Sequence, residues 1–496
     1  MFLVAAGLVL YVGLRATVAH QLVNWDGLSA LAHAYDVAHK QPSFDLALIG
    51  FVEPPAPTLA YLPLAWLLPG LAQTGVTAAV FGAIFLGLSA VLVNTLGVRC
   101  GLQWWLRYPL VAAVFLHPVS LSYAALGSPL TLLLFSVLGM AKSLAAWGEH
   151  RHLRDLIGCS LYAALAVLTR YEAVFLVAAA ALYIAVGCAM IPHDRYTRVE
   201  GTLITFLLPI AYFGGLWIGA NWIIMGDPWH SLAAVFSFVG QPPEYWSTAV
   251  VLVPLLVCPI CYALAYHELR PFGPWRGGAG AAILMAAAVA MPLVWPRPYL
   301  SHGNGPLYWS ALAGLSTTVL ATSLVLAMMV AAGYFTSSPS RSRVRGPVAG
   351  TVLLGVAGVV VLAMMRPIGG VLPAKTADVL RGYVAFAQSA KAEQQVAHLV
   401  ASETARGAHV AIAGWPGFAI ALYSGSTSAI SVLPDVKPDR TVAERLQPGD
   451  LLVLLEGEDQ WQRLLHGCSA EPAWAIGPWY GLKLVSSRQR TATSAP

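Results

Sequence analysis

Apolar residues in this chain come in long runs rather than in short alternations. Runs cover roughly 2–19, 75–98, 107–125, 128–147, 155–169, 171–191, 201–224, 246–266, 278–295, 307–333 and 347–366. A helix needs about 20 apolar residues to cross the hydrocarbon core, so the pattern predicts eleven transmembrane helices. The stretch 57–72 is shorter and is interrupted by Pro63 and Pro69; it reads either as a twelfth span or as a helix lying in the interface. Past residue 374 the pattern changes. Thr376 to Arg406 has helical periodicity, His409–Ala413, Ser428–Leu433 and Asp450–Leu455 read as strands, and a helix is expected over Glu458–His466. The expected fold is a polytopic α-helical membrane unit over 1–370, a small extracytoplasmic α/β domain of βαβ type over 371–486, and a disordered tail over 487–496.

Composition confirms the class. Of 496 residues 58% are hydrophobic and 10% charged, with a mean hydropathy of +0.68, where soluble chains carry about 25% charged residues. The net charge of +5 is topological information and not a nucleic-acid signal. With a cytoplasmic N-terminus and eleven spans, Arg99, Arg107, Arg151, Arg154, Arg195, Arg198, Arg270, Arg276, Arg341, Arg343 and Arg345 fall in cytoplasmic loops. The opposite loops between spans hold Lys40, Arg170 and Arg297. This obeys the positive-inside rule, and a full crossing at 57–72 would invert every later cluster. The stretch 57–72 is therefore expected to be interfacial or re-entrant, and the C-terminal domain to lie outside. Phe2–Ala19 lacks a basic n-region and reads as a retained helix in the inner or plasma membrane. Six cysteines show no disulfide framework, and Cys258-Pro259-Ile260-Cys261 lies in an apolar run with no neighbouring His.

The outer face thus becomes the place to look for chemistry. The first external loop, 20–57, opens on Asn24-Trp25-Asp26-Gly27 and ends in Glu53-Pro54-Pro55. Charged groups near lipid are costly and are functional candidates by default. Leu28, Leu31, Ala32, Tyr35, Val37 and Ala38 form an amphipathic helix suited to lying along the bilayer surface. Asp26 either caps that helix or faces a cavity beside it. Arg170 and Glu172 sit at a tight junction of two spans, as a structural ion pair or as functional groups. Gly226-Asp227-Pro228 reads as a helix stop, with Asp227 and His230 as additional polar groups. Arg297, between prolines, is either a snorkelling arginine or a phosphate ligand, and His302 and Asn304 follow it.

The first span, Trp25-Asp26-Gly27, Glu53-Pro54-Pro55 and Tyr61-Leu62-Pro63-Leu64 together resemble the GT-C superfamily of membrane glycosyltransferases. The nearest branch is that of protein O-mannosyltransferases and lipid A aminoarabinose transferases. Leu168-Thr169-Arg170-Tyr171-Glu172 resembles their Arg-x-Glu stretch, and Asn221 through Pro228 resembles their Asn-(x)-Gly-x-Pro span end. The resemblance implies a polyprenyl-phosphate sugar donor and an acidic catalytic base in the first external loop, by position Asp26. It departs from the pattern at Gly27, where many relatives carry a second acid, and at Glu53, where the aminoarabinose branch has Lys.

Inverting transfer needs a base within reach of the acceptor hydroxyl, which suits Asp26. It also needs cations for the departing phosphate, which suits Arg297 and Arg170. Trp25, Glu53, Glu172, Asp227, His230, His302 and Asn304 are the expected substrate-binding residues. The acceptor is a glycan, lipid or protein. A divalent metal shared by Asp26, Asp227 and Glu244 is compatible with the sequence but not required by any spacing. Two other readings are a polyprenyl-diphosphate glycan polymerase or ligase, which would place several arginines in one later loop, and a transporter, which would place acids at mid-membrane.

Overall fold

The computed structural model describes residues 1–40, 46–99, 104–115, 118–189, 195–232, 388–413, 416–425, 429–432, 447–456 and 469–486. The expected spans 246–266, 278–295, 307–333 and 347–366 lie outside them, as do Cys258, Cys261, the helix expected over Glu458–His466 and the tail 487–496. Helix α1 (Phe2–Leu14) continues as a π-helical turn over Arg15–Ala19. Then come β1 (Leu22–Val23), α2 (Trp25–His39), α3 (Ala56–Leu67), α4 (Pro69–Gln73) and α5 (Val76–Arg99). The run expected at 107–125 falls on α6 (Trp104–Phe115) and α7 (Pro118–Ala125). Next are α8 (Leu130–His150), α9 (Leu153–Thr169), α10 (Val174–Ala189) and α11 (Arg195–Ala220), whose end is a second π-helical turn over Asn221–Met225.

Among the described residues four helical stretches are long and apolar enough to cross a bilayer: Phe2–Ala19, Val76–Arg99, Leu130–His150 and Val199–Met225. Of these, α1 packs on α5 and α5 on α8, while α9 joins α8 to α11, around a core that includes Leu138, Met140, Leu144 and Phe206. Helix α3 has 12 residues, about 18 Å at 1.5 Å per residue, too short for a hydrocarbon core of about 30 Å. Together with α4 it exposes Leu59, Trp66, Leu67 and Leu71 while burying Tyr61, Ala65 and Ala72.

After residue 388 the chain makes β2 (Gln388–Ser389), α12 (Lys391–Ala405), β3 (Val410–Ile412), α13 (Gly417–Ser424), β4 (Ile430–Val432), β5 (Leu451–Leu455), β6 (Ser469–Ile476) and β7 (Trp479–Ser486). The five-stranded sheet runs β4-β3-β5-β7-β6. Strand β3 is parallel to β4 and β5, and β7 is antiparallel to both β5 and β6. The expected strands are present, but the βαβ reading was incomplete, because a C-terminal hairpin turns the sheet mixed. The helix expected to run unbroken over Thr376–Arg406 is also corrected: Gln388 and Ser389 are extended because they pair with another strand, and the helix begins at Lys391.

That pairing joins the two ends of the chain. Leu22 lies opposite Ser389 and Val23 opposite Gln388, and the Ala390 amide donates to the Gln21 carbonyl at 2.9 Å. Strand β1 directly follows the first span, so β1 and β2 share one side of the membrane. The chain between them therefore crosses the membrane an even number of times.

Candidate active site

Asp26 stands in the first turn of α2, next to the Asn24 cap, whose side-chain oxygen accepts from the Gly27 amide at 3.0 Å. Asn24, not Asp26, therefore caps the helix. Asp26 belongs to the first turn, where the helix dipole favours negative charge. It is half-buried, and its backbone carbonyl accepts from the Ser29 hydroxyl at 3.0 Å.

Close packing fixes this turn. A Cβ on Gly27 would overlap the Gly127 carbonyl oxygen and would stand 2.9 Å from that carbonyl carbon and 3.2 Å from the Leu126 oxygen. Gly127 itself has φ +69, and its carbonyl accepts from the Tyr61 hydroxyl at 2.6 Å. The start of α2, the turn after α7 and helix α3 are thereby interlocked. The absence of a second acid after Asp26 has a steric cause: no side chain fits at position 27.

Helix α2 is covered by protein on more than its apolar stripe. Residues Gly27 to Tyr35, with Val37 and Ala38, are all buried, because α3 and α5 cover one side and α13 covers another. The His33 ring packs against Phe418 with centroids 4.6 Å apart. Opposite, Gly50 (φ +85) lets the loop approach so that a Cβ there would meet the His33 Nε2 at 2.7 Å. Lys40 donates to the Ile430 carbonyl of β4 at 3.4 Å, and Gln73 donates to the Tyr35 hydroxyl at 2.5 Å. The C-terminal domain is therefore a lid on the helix that carries Asp26.

A second group of candidates gathers around Trp217. Its ring stacks on Phe51 at 5.1 Å and 3°, and its Nε1 donates to the Tyr171 hydroxyl at 2.9 Å. Val37, Ile49, Leu168 and Met225 share this cluster. The elements carrying Glu53, Arg170, Asp227 and His230 thus meet at one apolar node. Arg170 is 3% exposed at the end of α9, whereas Glu53, Asp227 and His230 are half-buried. Gly226 (φ +73) ends the π-turn, and Asp227 accepts from the Trp229 amide at 2.9 Å, the geometry of a helix stop. Asn221 clasps the returning chain: its amide donates to the Trp217 carbonyl at 2.9 Å, and its oxygen accepts from the Ser231 amide and hydroxyl at 3.2 and 2.5 Å. Both π-turns, Arg15–Ala19 and Asn221–Met225, end spans that lead into candidate loops, a common placement for such turns.

Asp26 and this node belong to opposite ends of α2, since the axis advances about 16 Å from Asp26 to Val37. Trp25, half-buried, packs on the same cluster as Leu165 and Leu168 of α9. The Glu172 side chain, Glu244, Arg297, His302 and Asn304 lie outside the described residues. Among the described residues no three His, Cys, Asp or Glu side chains cluster as a metal site would. Phe51 and Trp217 could be suspected in sequence only as aromatics flanking Glu53 and Asn221.

No protein-family model and no curated protein sequence matches the chain. Solved structures do match it. The crystal structure of ArnT from Cupriavidus metallidurans bound to undecaprenyl phosphate aligns with a TM-score of 0.53 at 13% identity, over 97% of this chain and 97% of that chain. The apo state of the same protein aligns with a TM-score of 0.51 at 14% identity, over 97% and 96%. Over nearly its whole length, this multi-pass membrane chain shares the fold of the GT-C membrane glycosyltransferases.

Proposed function

We propose that the chain is a membrane glycosyltransferase that moves one sugar from a polyprenyl-phosphate donor to an extracytoplasmic acceptor. The observation that carries the reading is Asp26, a half-buried carboxylate fixed in the first turn of α2, under a docked C-terminal domain, in a chain of GT-C fold. Asp26 takes the proton of the acceptor hydroxyl. The acceptor oxygen attacks the sugar's anomeric carbon, the bond to phosphate breaks with inversion, and polyprenyl phosphate leaves with the electron pair. That leaving group needs charge stabilisation rather than a proton, the role given to Arg170 and Arg297. Trp25, Glu53, Glu172, Asp227, His230, His302 and Asn304 are the groups assigned to substrate binding.

The transferase unit is 1–370, with its N-terminus cytoplasmic, and the extracytoplasmic domain is 371–486. The acceptor class, glycan, lipid or protein, is set by what fits between them.

The test is transfer of radiolabelled sugar from a panel of polyprenyl-phosphate donors by protein in nanodiscs. Asp26→Asn is expected to lower turnover by about 100- to 10,000-fold, the usual contribution of a general base, with donor binding retained. Undiminished turnover in that variant removes Asp26 as the base.

A further inference from the structure

A second site lies in the other leaflet. Between α1, α5, α6 and α7 runs a slot of about 300 Å³, lined by Val4, Leu8, Leu86, Tyr108, Val111 and Phe115 among other apolar residues. Val4 and Leu8 belong to the end of α1 remote from α2. From Val4 to Ala19 the helix advances roughly 22 Å, most of a hydrocarbon core about 30 Å thick. The slot is therefore on the opposite side of the membrane from Asp26.

One lining residue, Tyr108, has a cation and a tryptophan beside it, the Trp104 ring centroid lying 6.4 Å from its own. The Arg107 guanidinium lies 5.2 Å from the ring centroid of Tyr108, which itself lines the slot. The Arg107 Nε is buried and has no hydrogen-bond partner among the described residues. Arg99, at the end of α5, faces Glu149 at 3.6 Å and is already balanced. Trp104 and Trp105 on the first turn of α6 are 66% and 38% exposed, as tryptophans at headgroup level are. An apolar channel ending beside an incompletely satisfied arginine and a tryptophan belt matches a chain with an anionic head. A zwitterionic lipid would set its own cation against Arg107.

We propose that this slot holds one acyl chain of an anionic phospholipid from the leaflet opposite the Asp26 face, with the lipid phosphate paired to Arg107. The site is separate from the sugar donor's, and its occupancy does not depend on the glycosyltransferase reading.

The experiment is native mass spectrometry of the full-length protein in neutral detergent, titrated with phosphatidylglycerol or with phosphatidylcholine of the same chains. The wild type is expected to hold its first phosphatidylglycerol about fivefold more tightly than phosphatidylcholine, the increment one cation gives beside an anionic lipid. Arg107→Gln should abolish the preference and Arg107→Lys should keep it. Ala112→Phe, which fills the slot and leaves Arg107 in place, should remove that first lipid. Equal affinity for the two lipids in the wild type, unchanged binding in Ala112→Phe, or displacement of the lipid by undecaprenyl phosphate would each overturn the assignment.

Discussion

Gly27→Ala is a one-carbon change that tests whether the position of Asp26 is set by backbone contact. The new Cβ would stand 2.9 Å from the Gly127 carbonyl carbon and overlap its oxygen. Carbon atoms rest at about 3.5–4.0 Å, so α2 and the turn after α7 must part by close to 1 Å. The opposing atoms are backbone, and Tyr61 holds them from the far side, so no side chain can swing away. Overpacking of this kind costs about 1–3 kcal/mol. A 1 Å displacement of a reacting group lowers turnover by about 100-fold. Hydrogen-exchange mass spectrometry of the full-length protein should show faster exchange in the first turns of α2. Gly201→Ala is the control, because nothing lies within 4 Å of a Cβ there. Alanine is preferred to glycine in a helix by roughly 0.5–1 kcal/mol, so that variant should be neutral or slightly more stable. If Gly27→Ala leaves α2 exchange and turnover as they are in Gly201→Ala, the interlock does not position Asp26.

Phe418→Ala removes a ring that is 5% exposed and in contact with His33, at a cost of about 3–5 kcal/mol. The loss should appear as increased exchange in β1, β2 and α2 together, and a change below about 1 kcal/mol in the opening of those segments would refute domain docking through this contact. Burial holds the Glu393 carboxyl above its ordinary value, outweighing the hydrogen bond its Oε1 accepts from Trp479 at 2.9 Å. The folded state thus binds this proton more tightly than the unfolded state does. The C-terminal domain should be most stable below the unfolded value and lose stability as pH rises through the raised folded one. In Glu393→Gln that slope should flatten, as read by thermal unfolding across the same buffers; an unchanged slope would assign the pH dependence to other groups.

Much of this architecture was legible because it depends on local pattern. Apolar runs gave the helices from α5 to α11, and Val410–Ile412, Ile430–Val432 and Leu451–Leu455 announced themselves as short apolar strands. The 57–72 segment falls on two short helices, α3 and α4, broken at Leu68 before Pro69, one of the two prolines seen in the sequence. What was not legible depends on partners distant in sequence. Two-residue strands carry almost no propensity, so β1 and β2 could not be foreseen. The strand Ser469–Ile476 contains Pro472, which an edge strand tolerates, and it turns into β7 at Gly477-Pro478. The amphipathicity of α2 was read correctly, but its polar-looking side is covered by α13, and no sequence period reveals a cover supplied by residue 418. Asp26 and the Arg170 stretch could be picked out as candidates from the sequence; the aromatic node of Phe51, Tyr171 and Trp217 required the fold.

The ribbon formed by β1 and β2 also sets a schedule. A ribosome adding about 5–20 residues per second makes Leu22 well over ten seconds before it makes Ser389. Throughout that interval the first loop waits at the membrane face with its strand edge open and its helix uncovered by α13. The loop reaches its final form only once Gln388–Ser389 and the elements after them have been made. The environment of Asp26 is in this way incomplete in every unfinished chain, whose β1 edge stays unpaired.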